Sequence, residues 1–420
     1  MKPQRQSAFQ QTEASGGPLA VSSATPRSLV ALLACASGLS VANVYYAQPL
    51  LNALANDFQI SLSDVGVIIT AMQIGSAMAL LLLVPLGDRI NRKRLMLAQA
   101  GALIVSLVAV GLANSSAALL IGMLAVGLLG TAMTQGLIAY AASVAGASER
   151  GRVVGAAQGG VVAGLLLARV FAGLVSDLFG WRCVYFVAAL LMLVVIVALQ
   201  RALPKPPPPA QRLPYLRLIY SMFTLLRRER VLQIRGTIAL LMFAALSIFW
   251  SALSLLLTAP PLELSHSAVG AFGLVGAFGA LAAASAGRLA DRGYGQRTTG
   301  WALLVLLASW LPMWFATAAL VPLVIGVIAL DLAGQAIHVT NQNFIFKTLP
   351  EAHSRLVGCY MLFYSAGYGL GAFASTTVYT AIGWRGVCVL GAAVSFSALV
   401  FWGATLRFMP TTVTDRPRSS

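Results

Sequence analysis

The chain has 420 residues, of which 59% are hydrophobic and only 10% are charged, and its mean hydropathy is +0.83. Soluble globular chains carry roughly 25% charged residues, so this composition excludes a soluble enzyme, a disulfide scaffold and a disordered chain. The net charge of +16 comes from short basic clusters between apolar runs, without the single basic patch of a nucleic-acid binder. A transmembrane helix needs about 20 apolar residues, so twelve helices need about 240, which the length accommodates. The composition therefore predicts an all-α membrane protein with short loops.

Twelve apolar runs follow a polar N-terminal tail, residues 1–28, which we expect to be disordered. Each run is long enough to cross a bilayer, and the predicted spans are 29–51, 63–86, 95–113, 117–145, 153–178, 183–200, 236–258, 268–287, 298–320, 322–346, 355–381 and 386–408. The organisation is an N-terminal six-helix half (29–200), a linker (201–235), a C-terminal six-helix half (236–408) and a C-terminal tail (409–420).

The linker has two parts of different character. It opens with a proline-rich stretch, residues 204–209, which favours a stiff extended chain. Leu216, Ile219, Phe223 and Leu226 then recur at helical spacing beside several arginines. This pattern predicts an amphipathic helix that lies on the membrane surface.

The basic residues predict the orientation of the chain. When the N-terminus is placed in the cytoplasm, only Arg182 and Arg385 fall outside, Arg169 falls within a span, and the rest of the 28 Lys and Arg residues are cytoplasmic. Such a bias follows the positive-inside rule, and a wrong number of spans would scramble it. We therefore expect both termini and the linker to be cytoplasmic.

The two halves repeat one another at an offset of 203 residues. The pairs Asp88-Arg89 and Asp291-Arg292 match, as do the segments 152–155 and 355–358 (RVVG and RLVG) and the segments 180–182 and 383–385 (GWR). Three matches at one offset indicate a duplicated six-span unit. A parallel repeat of this kind is typical of transporters whose halves rock about a central site.

Two loops carry a resemblance to a known family. Segment 87–94 (GDRINRKR) resembles the signature loop of the major facilitator superfamily, G-x-x-x-D-R-x-G-R-K/R, and segment 287–292 (GRLADR) resembles its second copy. Segment 43–50 (NVYYAQPL) is similar to a poorly characterised bacterial branch near the 12-span drug:proton antiporters. The resemblance implies twelve transmembrane helices in two pseudo-symmetric halves of six. It also implies a conformational gate formed by Gly87, Asp88, Arg89, Arg92, Lys93, Gly287, Asp291 and Arg292, and the alternative is that these loop charges only orient the chain. Glu149, in the next cytoplasmic loop, is a candidate ion-pair partner for Arg89 or Arg92.

Two further motifs of the family are altered in this chain. Segment 131–136 (TAMTQG) is similar to the proton-coupling motif R-x-x-Q-G, but Ala132 replaces the arginine. Segment 160–169 (GVVAGLLLAR) is similar to the antiporter motif G-x-x-x-G-P-x-x-G-G, but Leu165 replaces the proline and Ala168-Arg169 replaces the last two glycines.

Ionisable side chains in the middle of a span are candidates for proton coupling, because each costs at least about 2.5–3.5 kcal/mol in the bilayer. Three residues meet this condition: Asp331, Arg169 and His338. Arg169 and Asp331 are expected at a similar depth, which makes an ion pair between them one hypothesis and an unpaired Asp331 the other.

Further polar side chains are candidates for the wall of a substrate cavity. Helical spacing places Asp331, Gln335, His338 and Gln342 on one face, which looks either into a cavity or into a polar network that joins helices. The same two alternatives apply to the remaining candidates, which are Asn43, Gln48, Gln73, Gln135, Tyr360, Tyr364 and Tyr368.

The sequence is interpreted as a secondary transporter and not an enzyme. The first hypothesis is proton-coupled efflux, by antiport, of a small organic molecule through alternating access. The alternative is a proton symporter or a uniporter that imports a sugar or another small metabolite. The sequence has no Walker-type phosphate loop and no metal-spaced histidines, so we expect no cofactor or metal and a proton gradient as the energy source. The expected setting is the bacterial inner membrane, with a small-molecule substrate, protons and lipid as partners, no nucleic acid, and a monomeric chain.

Overall fold

In this computed structural model, which describes residues 25–146, 149–204, 214–346, 348 and 353–409, each of the twelve predicted spans is helical. Their bounds are span 1, Arg27–Ala42 continued by Gln48–Leu50 and Leu51–Phe58; span 2, Gly66–Met78 continued by Ala79–Leu83 and Pro85–Asp88; span 3, Arg92–Gly111; span 4, Ser116–Val144; span 5, Arg150–Phe179; span 6, Trp181–Ala202; span 7, Arg230–Thr258; span 8, His266–Val275 and Ala277–Asp291; span 9, Gly295–Ala308 and Trp310–Met313; span 10, Leu320–Phe346; span 11, His353–Ile382; and span 12, Trp384–Thr405. Nine of the described helices are long and apolar enough to cross a membrane as single units, and spans 1, 8 and 9 are the interrupted ones. The predicted fold class is confirmed.

Span 1 is interrupted at segment 43–50 because Pro49 has no N–H and its ring clashes with the carbonyl one turn earlier. The backbone tightens there into turns in which Tyr45 N donates to the Ala42 carbonyl oxygen at 2.9 Å and Gln48 N to that of Tyr45 at 3.3 Å. Transporters place such interruptions where backbone and side chains line a binding site.

Close helix packing within each half repeats at the offset of 203 residues. In the N-terminal half, a methyl group added to Gly164 would lie 2.2 Å from the Gly38 carbonyl oxygen. At the equivalent position of the C-terminal half, one added to Gly367 would lie 2.1 Å from the Leu240 carbonyl oxygen. Small residues let helix backbones touch in membranes, so spans 1 and 5, and spans 7 and 11, form matching contacts.

The two halves meet through two helix pairs that also follow the repeat. A methyl group on Gly270 of span 8 would lie 2.3 Å from the Arg169 carbonyl oxygen of span 5. One on Gly66 of span 2 would lie 2.5 Å from the Ala372 carbonyl oxygen of span 11. Residues 169 and 372 are equivalent under the offset of 203. Arg169 in the N-terminal half therefore corresponds to Ala372 in the C-terminal half, and only one of the two matching contacts carries a charge.

The linker contains the helix Tyr215–Arg228, which packs at the end of the bundle that we call the linker side. Leu218 and Met222 are buried against the protein, whereas Leu216, Tyr220 and Phe223 are exposed. The hydroxyl of Tyr215 donates to the Leu82 carbonyl oxygen of span 2 at 2.7 Å. The proline stretch and nearly all of both predicted tails lie outside the described residues.

The linker ends earlier than the sequence predicts. Span 7 begins at Arg230 instead of 236, and Arg235, assigned to the linker from its charge, is a fully buried residue of that helix. A charged residue within one or two helical turns of the predicted end of a span is interpreted as part of the neighbouring loop. The sequence pattern therefore places the start of span 7 too late.

Candidate functional site

Arg169 lies where the two halves meet and is almost fully buried, with 4% of its surface exposed. Its Nε donates a hydrogen bond to Gln48 Oε1 at 2.8 Å, and its Nη1 donates to the Leu165 carbonyl oxygen at 3.2 Å. The guanidinium carbon lies 4.1 Å from the centre of the Trp250 ring. Such a desolvated cation–π contact is worth about 2 kcal/mol. Because Trp250 belongs to span 7, this contact holds a charge of the N-terminal half against the C-terminal half.

Tyrosines connect the same two halves around Arg169. The hydroxyls of Tyr45 and Tyr364 are hydrogen-bonded to each other, and Gln48 Nε2 donates to the Tyr368 hydroxyl. Tyr364 also packs edge-on against Phe243, with the ring centres 4.4 Å apart. Three of the predicted cavity residues, Gln48, Tyr364 and Tyr368, are thereby brought into one cluster.

Asp331 faces the interruption of span 8. A methyl group added to Gly276 would lie 2.8 Å from the Asp331 Oδ2 atom, so glycine leaves the space that the carboxylate occupies. The carboxylate interacts with the Trp250 side chain and with the charge of Arg169. The ion pairs among the described residues lie elsewhere, so Arg169 and Asp331 do not pair directly in this conformation. Trp250 is the residue that contacts both charges.

The polar face of span 10 changes its surroundings along the helix. Gln335, one turn from Asp331, is exposed. His338 Nε2 lies 3.3 Å from Gln342 Nε2, and His338 Nδ1 lies 2.9 Å from the Tyr360 hydroxyl. The Gln342 Nε2 atom can only donate, so His338 Nε2 accepts this hydrogen bond. A neutral imidazole then carries its proton on Nδ1 and donates it to the Tyr360 hydroxyl.

The other predicted cavity residues lie apart from this cluster. Asn43 Nδ2 donates to the Leu39 carbonyl oxygen of its own helix at 2.7 Å, and Gln73 is buried beside Gly369 at the contact of spans 2 and 11. Gln135 is half-buried in span 4.

Hydrogen bonds close the bundle at the end opposite to the linker, which we call the far side. Asp177 at the end of span 5 accepts from the backbone N–H groups of His266 at 3.1 Å and Ser267 at 2.8 Å. The His266 Nδ1 atom lies 3.0 Å from the same carboxylate. Thr376 of span 11 donates to the Ser63 carbonyl oxygen at 2.9 Å. We call the contact of Asp177 with His266 and Ser267 the far-side latch, because it joins the halves at the first turn of span 8.

The predicted gate residues lie in two loops on the linker side. Arg92 Nε donates to the Gly87 carbonyl oxygen at 3.2 Å, and its Nη1 donates to the Ala139 carbonyl oxygen at 3.0 Å. Lys93 donates to the Gln200 carbonyl oxygen at 3.0 Å. These bonds tie the loop to the ends of spans 4 and 6. The side chain of Asp88 lies outside the described parts of the chain.

The second gate loop contacts span 10. Asp291 accepts from Asn343 Nδ2 at 2.8 Å, which joins spans 8 and 10. Arg89 and Arg292 are exposed, and Gly287 lies beside Val339 of span 10.

Glu149 has partners other than those expected from the sequence. Its carboxylate accepts from the Thr25 backbone N–H at 2.8 Å and pairs with Arg152 at 2.8 Å. The hydrogen bond from Thr25, followed by the one from Arg152, lowers the pKa of the Glu149 carboxyl. Glu149 therefore fastens the start of span 1 to the start of span 5.

Sequence reasoning missed Trp250 and the latch residue Asp177. Span 7 did carry a signal, since Ser247, Ser251 and Ser254 recur at helical spacing beside Trp250 and mark a face that packs against protein. The Ser247 hydroxyl donates to the Tyr368 carbonyl oxygen at 2.6 Å. Asp177 carried no such signal, because one acidic residue near the end of a span resembles any loop charge.

Comparisons with known proteins agree with this architecture. A model of the Major Facilitator Superfamily matches residues 31–299 and 236–420. The chain is 40% identical over 379 residues to the uncharacterized transporter YgaY of Escherichia coli O157:H7, covering 89% of this chain and 94% of that protein. The fold is similar to that of a bacterial homolog of the human lysosomal transporter Spinster, in an inward-facing and occupied conformation. The TM-score is 0.74 at 15% identity, over 94% of this chain and 98% of the other. The nucleoside transporter NupG gives a TM-score of 0.66 at 16% identity, over 89% of this chain and all of the other.

The family model and the YgaY relative each span most of the chain, and the solved structures reproduce its two-halved helical fold. The protein is a multi-pass membrane transporter, and the chain belongs to the major facilitator superfamily.

Proposed function

We propose that this protein is a proton-coupled exporter of the bacterial inner membrane that exchanges a small organic solute for protons by alternating access. The observation that carries the proposal is Asp331, an acid in the middle of a span, beside the Trp250 indole on which Arg169 stacks. In this proposal the linker side is cytoplasmic, so the closed far side corresponds to an inward-facing state of a monomeric transporter.

The coupling rests on the charge of Asp331. Its carboxylate attracts Arg169 of the opposite half, and protonation removes that attraction. Two unit charges 4 Å apart at an effective dielectric of about 20 interact by about 4 kcal/mol, and these two are not in direct contact, so the coupling is smaller. About 1.4 kcal/mol already changes a two-state population tenfold. The charged form of Asp331 therefore holds the two halves together at the central cluster, and the protonated form releases them.

The solute site is proposed along the face of span 10 and the tyrosines of span 11. Gln335 offers an exposed amide, His338 and Tyr360 offer a hydrogen-bonded pair, and Tyr364 with Phe243 supplies an aromatic wall. Such walls with a few polar groups suit organic solutes of mixed polarity. A solute that binds beside Asp331 competes with its proton, which is the condition for exchange.

Purified protein in vesicles loaded with a pH-sensitive dye tests the proposal. The solute is first chosen from a panel of organic compounds by its thermal stabilisation of the purified protein. Addition of that solute outside should make the lumen alkaline, since solute entry by antiport drives protons out. An acid lumen indicates symport, and solute entry without a pH change indicates uniport. Either result contradicts antiport.

A further inference from the structure

Arg235 is a second buried cation, separate from the central cluster. It lies in the first turns of span 7, near the linker side, and none of its surface is exposed. Its Nη1 donates to Thr299 Oγ1 at 3.0 Å and to Asn341 Oδ1 at 3.3 Å. The guanidinium carbon lies 3.9 Å from the centre of the Phe344 ring. Spans 7, 9 and 10 therefore converge on one guanidinium group.

The other edge of this guanidinium is unpartnered. Arg235 Nε and Nη2 are both buried, and neither has a hydrogen-bond acceptor among the described residues. Their N–H bonds run parallel along one planar edge, which is the fork that binds a carboxylate or another anion through two hydrogen bonds. Leaving a buried donor unsatisfied costs about 1–3 kcal/mol, and more when the group is charged.

The charge of Arg235 is also uncompensated among the described residues. A guanidinium in a protein does not lose its proton, so burial cannot be relieved by neutralisation. The ion pairs among the described residues do not include Arg235. Its hydroxyl and amide partners accept hydrogen bonds but carry no negative charge. A buried charge without an opposite charge costs several kcal/mol, which water molecules alone would not offset.

A neighbouring group supplies a further donor. Asn341 Oδ1 accepts from Arg235, whereas Asn341 Nδ2 is buried and has no hydrogen bond of acceptable geometry among the described residues, although it lies close to the Tyr360 hydroxyl. The unsatisfied groups of this cluster are thus all N–H donors around a positive charge. What completes it must accept hydrogen bonds, carry negative charge and be small.

We propose that the Nε and Nη2 edge of Arg235, with the Asn341 amide, binds a small inorganic anion such as chloride inside the C-terminal half. The anion neutralises Arg235 and stabilises the junction of spans 7, 9 and 10. Because Asn341 lies close to Tyr360, which is hydrogen-bonded to His338, the anion site adjoins the wall of the solute cavity. The site does not depend on the proposed antiport, since its donors belong to the C-terminal half alone.

Thermal unfolding of the purified full-length protein tests this proposal. Chloride should raise the midpoint temperature by a few degrees, saturably, relative to gluconate at equal ionic strength, because gluconate is too bulky for a fully buried site. Arg235→Gln should abolish the difference. Arg182→Gln, which removes a cation that already pairs with Asp57 at the surface, should retain it. Equal midpoints in chloride and gluconate, or a chloride effect that persists in Arg235→Gln, would overturn the proposal.

A second variant covers failure of Arg235→Gln to fold. Asn341→Ala keeps the guanidinium and its hydrogen bond to Thr299, but it removes one proposed donor together with the Oδ1 acceptor of Arg235 Nη1. The chloride concentration at half-effect should therefore rise about tenfold, as expected for loss of one charge-assisted hydrogen bond to the anion. An unchanged half-effect concentration in Asn341→Ala would contradict the site. A titration with formate tests whether a small planar anion binds to the same donors. Formate that replaces chloride in raising the midpoint temperature supports a shared anion site. Formate that raises the midpoint temperature further at saturating chloride contradicts it.

Discussion

The far-side latch makes a quantitative prediction about alternating access. Asp177→Asn removes the charge and one of the two acceptor oxygens that hold the first turn of span 8. Loss of a helix cap costs about 0.5–2 kcal/mol, and hydrogen bonds to charged groups contribute about 1.5–3 kcal/mol each. We expect a loss of about 1.5–3 kcal/mol from the far-side-closed state, which is about a 10- to 160-fold shift toward far-side opening.

Spin labels at Asn114 and Thr317 measure this shift in a cysteine-free background. Both positions are exposed in far-side loops, and they are equivalent under the offset of 203 residues. Double electron–electron resonance should show a longer-distance population in Asp177→Asn. Asp57→Asn is the matched control, because Asp57 binds Trp181 and Arg182 on the same side but within one half. An unchanged distance distribution in Asp177→Asn, or the same change in Asp57→Asn, would refute the latch.

Three further predictions concern packing, gating and orientation. Gly160→Leu should destabilise the fold by at least about 1–3 kcal/mol, because even a methyl group there would lie 2.0 Å from a carbonyl oxygen of span 1. Gly159→Leu is the control, because a side chain there meets open space. Size-exclusion profiles after heating compare the stability of the two variants. Asp88→Asn should abolish vesicle transport without preventing membrane insertion. Normal transport by this variant would mean that Asp88 only orients the chain in the membrane. An impermeant thiol reagent applied to cells should label a cysteine at Ser265 and spare one at Ala210, and the opposite pattern would invert the orientation.

The helical framework was predictable because a bilayer imposes long apolar helices whose ends are marked by charges. The repeat was predictable as well, and the contact of Gly164 with span 1 recurs as that of Gly367 with span 7. Arg235 shows the limit of this reasoning. Its position near a predicted end made it resemble a flanking charge, and only packing against Thr299 and Asn341 reveals that it is buried.

The central cluster was predictable only in part. Arg169 and Asp331 stand out because charges in a span are costly. The residue that contacts both, Trp250, does not stand out, because an aromatic residue in an apolar helix is ordinary. The sequence leaves open whether Arg169 and Asp331 form a direct ion pair, since it gives depth along a helix but not the rotation of one helix against another. The Asp331 carboxylate lies beside Gly276 at the interruption of span 8, a contact that the sequence pattern does not show.

Proton flux driven by the solute, in wild type and in Asp331→Asn, tests the central claim most directly. Asparagine keeps the size of the side chain and cannot exchange a proton, so exchange of labelled solute should continue while the luminal pH signal disappears. Gln335→Asn, one turn along the same face, is the control and should keep the pH signal even if solute affinity falls. A pH signal of wild-type size in Asp331→Asn would contradict the account.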